Sequence, residues 1–164
     1  MGRAIHLFAA GAVFGLAACV NPATESPLES RERLVLETAF RNIDLRYAEA
    51  VTIRSVSLAG ISALSKTDSL IEIAEKPRRI ELLYDNRLLA DWASPGDNDH
   101  EAWAAIVANA LRHARLEASQ LDEADPESVL ADFFRGGFSK LDRYTRYETP
   151  QQARNTRARR EGFG

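Results

Sequence analysis

Ser69-Leu70-Ile71-Glu72-Ile73, Arg79-Ile80-Glu81-Leu82-Leu83-Tyr84 and Arg87-Leu88-Leu89-Ala90-Asp91-Trp92 are three short apolar-rich runs set in an otherwise helix-like sequence. Lys76-Pro77 separates the first two, and Asp85-Asn86 separates the last two. Asn and Asp tolerate the positive φ that tight hairpin turns demand. The three runs therefore read as an antiparallel meander over about residues 69–92, closed by the break Ser94-Pro95-Gly96-Asp97.

On the N-terminal side, Leu36, Ala39, Phe40, Ile43 and Tyr47 fall at i, i+3, i+4, i+7 and i+11. That is the stripe of an amphipathic helix, opened by Ser30, Glu32 and Arg33. A second helix from about Val51 to Leu64 places Ile53, Val56, Gly60 and Leu64 on one side. Gly inside a helix costs about 1 kcal/mol against Ala, so Gly60 points to a close helix approach. The two helices are expected to form a hairpin.

On the C-terminal side, a long helix from about Asp99 presents Trp103, Ile106, Val107, Ala110 and Leu111. Asp125 reads as an N-cap with Pro126 at the first helical position. That helix carries Val129, Leu130, Phe133 and Phe134 into Gly136-Gly137, which reads as a C-terminal cap requiring positive φ. Pro150 opens a last, Arg-rich helix ending before Gly162-Phe163-Gly164. A faint internal echo pairs Gly60-Ile61-Ser62-Ala63-Leu64 with Gly137-Phe138-Ser139-Lys140-Leu141. The expected class is α+β, mainly α: helical hairpins packed with a small three-stranded antiparallel meander.

Met1-Gly2-Arg3 supplies a positive start, and Ala4 to Ala18 is apolar apart from His6. A bilayer core needs about 20 residues to cross it, so this run fits a secretory signal better than a span. It ends in Leu16-Ala17-Ala18-Cys19. The pattern resembles the bacterial lipobox, in which small residues precede the cut and the cysteine thiol takes diacylglycerol. On that reading residues 1–18 are removed and Cys19 anchors the chain in lipid. Residues 19–30, with Asn21, Pro22, Thr24, Ser26 and Pro27, serve as a flexible tether. Val20 follows the cysteine where aspartate would favour inner-membrane retention, so the outer membrane is the preferred address.

The chain of 164 residues has a net charge of −3 and one cysteine, so no internal disulfide or cysteine zinc site can form. His100 and His113 share no ligand spacing and read as surface residues. From Glu117 to Asp132 there are six acids and no base, whereas Arg135 to Gly164 holds eight bases against three acids. The basic tail raises nucleic acid as a partner. An exported N-terminus and the lack of aromatics interleaved with Arg154, Arg157, Arg159 and Arg160 argue for a solvated helix face instead. Asp122, Glu123 and Asp125 lack the glycine-centred pattern of a calcium loop. No metal, cofactor or nucleic acid is assigned.

Phe133-Phe134-Arg135-Gly136-Gly137-Phe138-Ser139-Lys140-Leu141-Asp142-Arg143-Tyr144-Thr145-Arg146-Tyr147 is followed by Thr149-Pro150-Gln151-Gln152-Ala153 and then by Arg160-Glu161-Gly162-Phe163-Gly164. In order and spacing, Val129 to Gly164 resembles the segment before the PDZ domain in carboxyl-terminal processing (tail-specific) serine peptidases. The helical pair from Leu34 to Leu64 is similar to that family's N-terminal region. The positions that fall on the family's motif, as structural residues, are Gly137, Leu141, Asp142, Tyr144, Thr145, Tyr147, Pro150, Gly162, Phe163 and Gly164. Arg143 stands where the family has proline, Tyr144 where it has histidine and Thr145 where it has serine.

The resemblance implies residues 31–149 as a helical N-terminal domain and residues 150–164 as the lead into a PDZ domain beyond this sequence. The serine nucleophile and lysine base would also lie beyond it. Ser139-Lys140 makes no dyad, since adjacent helical side chains point about 100° apart. Phe133, Phe134, Phe138, Leu141, Tyr144 and Tyr147 would pack, and the chain would tether and assemble. The helical domain could then self-associate or hold a protein partner. The other reading is a self-contained envelope lipoprotein that binds or scaffolds.

Overall fold

The structure is a computed structural model that describes residues 26–47, 51–142 and 144–162. Its class is the expected one, α+β and mainly α. The elements are α1 (Pro27–Tyr47), α2 (Ile53–Ala63) followed by a 3-10 turn, β1 (Ile71–Lys76), β2 (Arg79–Tyr84), β3 (Arg87–Ala93), α3 (His100–Glu117), α4 (Ser119–Asp122), α5 (Pro126–Phe138) and α6 (Pro150–Arg160).

The first helix begins earlier than its apolar stripe suggests. Ser26 Oγ accepts from the Glu29 N–H at 3.2 Å, and the Glu29 carboxylate accepts from the Ser26 N–H at 2.8 Å. This reciprocal capping box places Pro27 at the first helical position, so residues 27–30 belong to the helix rather than to the tether.

The meander is as expected, in the order β1-β2-β3 with both pairs antiparallel. Asp85 and Asn86 both take positive φ, 49° and 61°, as a two-residue primed turn requires. At the other turn Arg78 follows Pro77 with φ 66°. Proline there followed by a positive-φ residue is the type II pattern, which ordinarily selects Gly. Ile71, Ile80 and Leu82 are buried on one face of the sheet, which packs against α2 and α3.

The two most extensive helix pairings are between helices not adjacent in sequence. In place of an α1–α2 hairpin, α1 lies along α3 and α2 lies along α5. Glu32 and Arg115 link the first pair. Glu32 is 3% exposed, and its carboxylate accepts two hydrogen bonds from the Arg115 guanidinium, at 2.6 and 2.9 Å. The apolar faces of both helices, from Leu36 and Phe40 to Trp103 and Leu111, close the same core.

The second pairing rests on glycines. A Cβ on Gly60 would lie 2.3 Å from Phe133 Cε2, one on Gly136 would lie 2.2 Å from Ala63 Cβ, and one on Gly137 would lie 2.8 Å from the Val56 carbonyl oxygen. Gly136 and Gly137 are therefore not a positive-φ cap. Both are inside α5, and their lack of side chains lets the backbones of α2 and α5 meet. The faint echo falls at this crossing: Phe133 covers Gly60 while Val56 covers Gly137. The two segments thus contact each other reciprocally, as two-fold-related helices would.

Candidate functional site: the turn between α5 and α6

The segment carrying the peptidase-like pattern folds back over the end of α5. Ser139 closes that helix, its Oγ donating to the Gly136 carbonyl at 2.6 Å. The Leu141 N–H then bonds to the Phe138 carbonyl at 2.9 Å, half-burying Leu141. The chain reverses at Asp142.

Asp142 builds the turn as an Asx cap. Its Oδ1 accepts from the N–H groups of Tyr144 at 2.6 Å and Thr145 at 2.9 Å. Its Oδ2 accepts from Thr145 Oγ1 at 3.0 Å and from the hydroxyl of Tyr47 at the end of α1. Tyr47 and Thr145 hydroxyls are themselves 2.8 Å apart. These donors hold the Asp142 carboxyl at a pKa of about 2, the Tyr47 hydroxyl first and the Tyr144 N–H next.

Tyr147 pins the other side. Its ring stacks on Phe134 at 4.5 Å and 23° between planes, and Phe134 meets Phe138 at 5.1 Å. Burial pushes the Tyr147 hydroxyl pKa up. The Thr149 hydroxyl then caps α6, with Gln152 completing a capping box and Pro150 in the first turn. Gly162, φ 75°, ends that helix in the left-handed region. Two clefts flank Tyr147. One of about 540 Å³ includes Arg135, Asp142, Arg146 and Gln152, and one of about 200 Å³ includes Leu28, Arg31, Val35 and Pro150.

The polar groups of the turn are engaged in ordering the chain. Asp142 accepts from four donors, so its lone pairs are spent within the turn. The Ser139 hydroxyl is engaged by the Gly136 carbonyl, and activation of such a hydroxyl calls for a base at about 2.6–3.2 Å. Among the described residues no three His, Cys, Asp or Glu side chains gather as a metal site.

The structure gathers Leu141, Asp142, Thr145 and Tyr147 around one cleft and sets Pro150 beside Tyr147 in the other, whereas Gly137 faces Val56 of α2, away from both. Tyr144 is a correction: it is 71% exposed, because the Asx turn uses its N–H and aims its ring outward. His113 is another, being half-buried edge-on to Trp92 with a pKa lowered by desolvation and by Arg112. Leu16, Ala17, Ala18, Cys19, Phe163 and Gly164 lie outside the described residues. Sequence reading missed the role of Tyr47, counting it as the last apolar position of the α1 stripe. A terminal tyrosine whose hydroxyl needs a partner was the available signal.

Comparison of the chain with protein-family models, with curated proteins and with solved structures finds no match.

Proposed function

We propose that this chain is the lipid-anchored N-terminal region of an exported serine endopeptidase of the carboxyl-terminal processing type, serving to tether and assemble that enzyme in the cell envelope. The observation that carries the proposal is one ordered series behind one leader. Leu141-Asp142, Thr145, Tyr147, Pro150 and Gly162-Phe163-Gly164 follow a leader ending in Leu16-Ala17-Ala18-Cys19. The Asx turn of Asp142 supports it, since it gives the strongest sequence resemblance a definite local structure. Cys19 carries the acyl chains on the periplasmic side of the membrane, with the outer membrane preferred. The helical body is the surface for a protein partner or a second copy, and no residue here is assigned to peptide-bond cleavage.

Antibodies against the helical body test this directly in envelope fractions of the native host. The proposal expects a polypeptide well beyond 164 residues, or a stable complex with a PDZ-containing serine peptidase. A free product of this length with no peptidase attached would replace the proposal with the self-contained lipoprotein.

A further inference from the structure

α6 stands apart from the rest of the fold. It has no buried residue, yet it is well capped at its start, with Thr149 and Gln152 bonded reciprocally. A helix polar on every side gains little from a core, so its use lies at its surface. That surface is basic. Arg154, Arg157, Arg159 and Arg160 are exposed, and the helix holds no acid. Arg154, Arg157 and Arg160 recur every three residues and share about a third of the circumference. Arg154 bonds to its neighbour Gln151 at 2.7 Å, and none of the four forms an ion pair among the described residues.

Its position gives the charge a destination. Leu28 and Arg31, in the first turns of α1, line one cleft together with Tyr147 and Pro150, at the start of α6. Both helices therefore begin at the same end of the body. Seven residues lie between Cys19 and Pro27, so the chain reaches at most about 28 Å from one to the other. The 11 residues of α6 extend about 16 Å. If Cys19 holds acyl chains, the basic helix works within that reach of the same bilayer.

We propose that α6 is a second membrane contact, its arginines binding the anionic phosphate headgroups of the bilayer that holds the acyl anchor. The inference rests on the anchoring reading above. Acyl chain and basic patch are complementary signals, one supplying buried CH₂ groups and the other charge attraction. Together they fix an orientation, with the α1–α6 end of the body toward the lipid.

The test separates the two signals by leaving out the first. The leaderless chain, residues 20–164, retains every core residue from Leu36 to Phe134. It is sedimented with vesicles of phosphatidylcholine, with or without about a third phosphatidylglycerol, at low and high salt. Binding is expected on the anionic vesicles alone, and it should weaken in high salt. Arg154→Gln, Arg157→Gln and Arg160→Gln together should lower it at least about tenfold, from roughly fivefold per arginine near an anionic surface. Lys66→Gln, Lys76→Gln and Arg78→Gln remove the same charge elsewhere and should change it less than about twofold. Circular dichroism confirms the fold of each variant. Equal loss in both triple variants, equal binding to both vesicles, or tighter binding to duplex DNA at matched phosphate would each overturn the proposal. Because the assay carries no Cys19, its failure leaves acylation standing, and a failure of acylation is read by lipid labelling alone.

Discussion

Phe133 occupies the space that a side chain at Gly60 would need, its ring edge 2.3 Å from where a Cβ would sit. Replacing Gly60 by Ala removes a helix-propensity cost of about 1 kcal/mol. It also forces a fully buried ring to move, and overpacking of this kind costs about 1–3 kcal/mol. Gly60→Ala is therefore expected to destabilise the fold in denaturant titration despite the better propensity. Combining it with Phe133→Leu should recover part of the loss, and simple additivity of the two would argue against this contact.

Glu32 and Arg115 form the buried link between α1 and α3, with side chains only 4% and 11% exposed. Removing one partner leaves the other charged and desolvated, which costs about 3–5 kcal/mol in buried pairs. Glu32→Ala is expected to approach the lower end of that range. Exchanging both for Leu and Met should restore most of the stability, because replacing a buried ion pair by apolar residues of similar volume removes both desolvation costs. A double variant as unstable as the single one would show that the ion pair itself is needed.

Asp142 gives the turn a defined acid limit. Its carboxyl titrates at about 2 rather than at the ordinary 3.8. A depressed folded-state pKa stabilises above the unfolded value, and that contribution is lost as pH falls through the folded one. The turn is expected to stay ordered at pH 4 and to loosen as pH drops from about 3.8 toward 2. Tyr47→Phe should move the Asp142 pKa back toward the ordinary value, measured from the carboxyl carbon shift by NMR. An unchanged titration in that variant would mean that the donors of Tyr144 and Thr145 suffice to hold the carboxylate.

The meander was legible because its signals are local. Alternating apolar runs and the Asp85-Asn86 turn need no distant partner, and both strand pairs formed where expected. The N-cap at Asp125 and the helix start at Pro150 are equally local. Helix pairing was not legible in this way. The α1–α3 pairing joins residues as far apart as Glu32 and Arg115, 83 positions, and no periodicity records that. Gly136-Gly137 misled for a related reason: a glycine pair near a helix end serves a cap or a close crossing equally well, and only the partner backbone of α2 decides. At the α5–α6 turn, sequence supplied Asp142, Thr145 and Tyr147 but left out Tyr47, which arrives from the far end of α1.

Anchoring at Cys19 underlies both the proposed role and the membrane contact of α6. Intact-protein and peptide mass spectrometry on envelope fractions measures it most directly. The account predicts a mature chain starting at Cys19, with diacylglycerol on its sulfur and the mass of a fatty acid on its amine. A chain that retains residues 1–18, or one whose first residue carries an unmodified thiol, would contradict it.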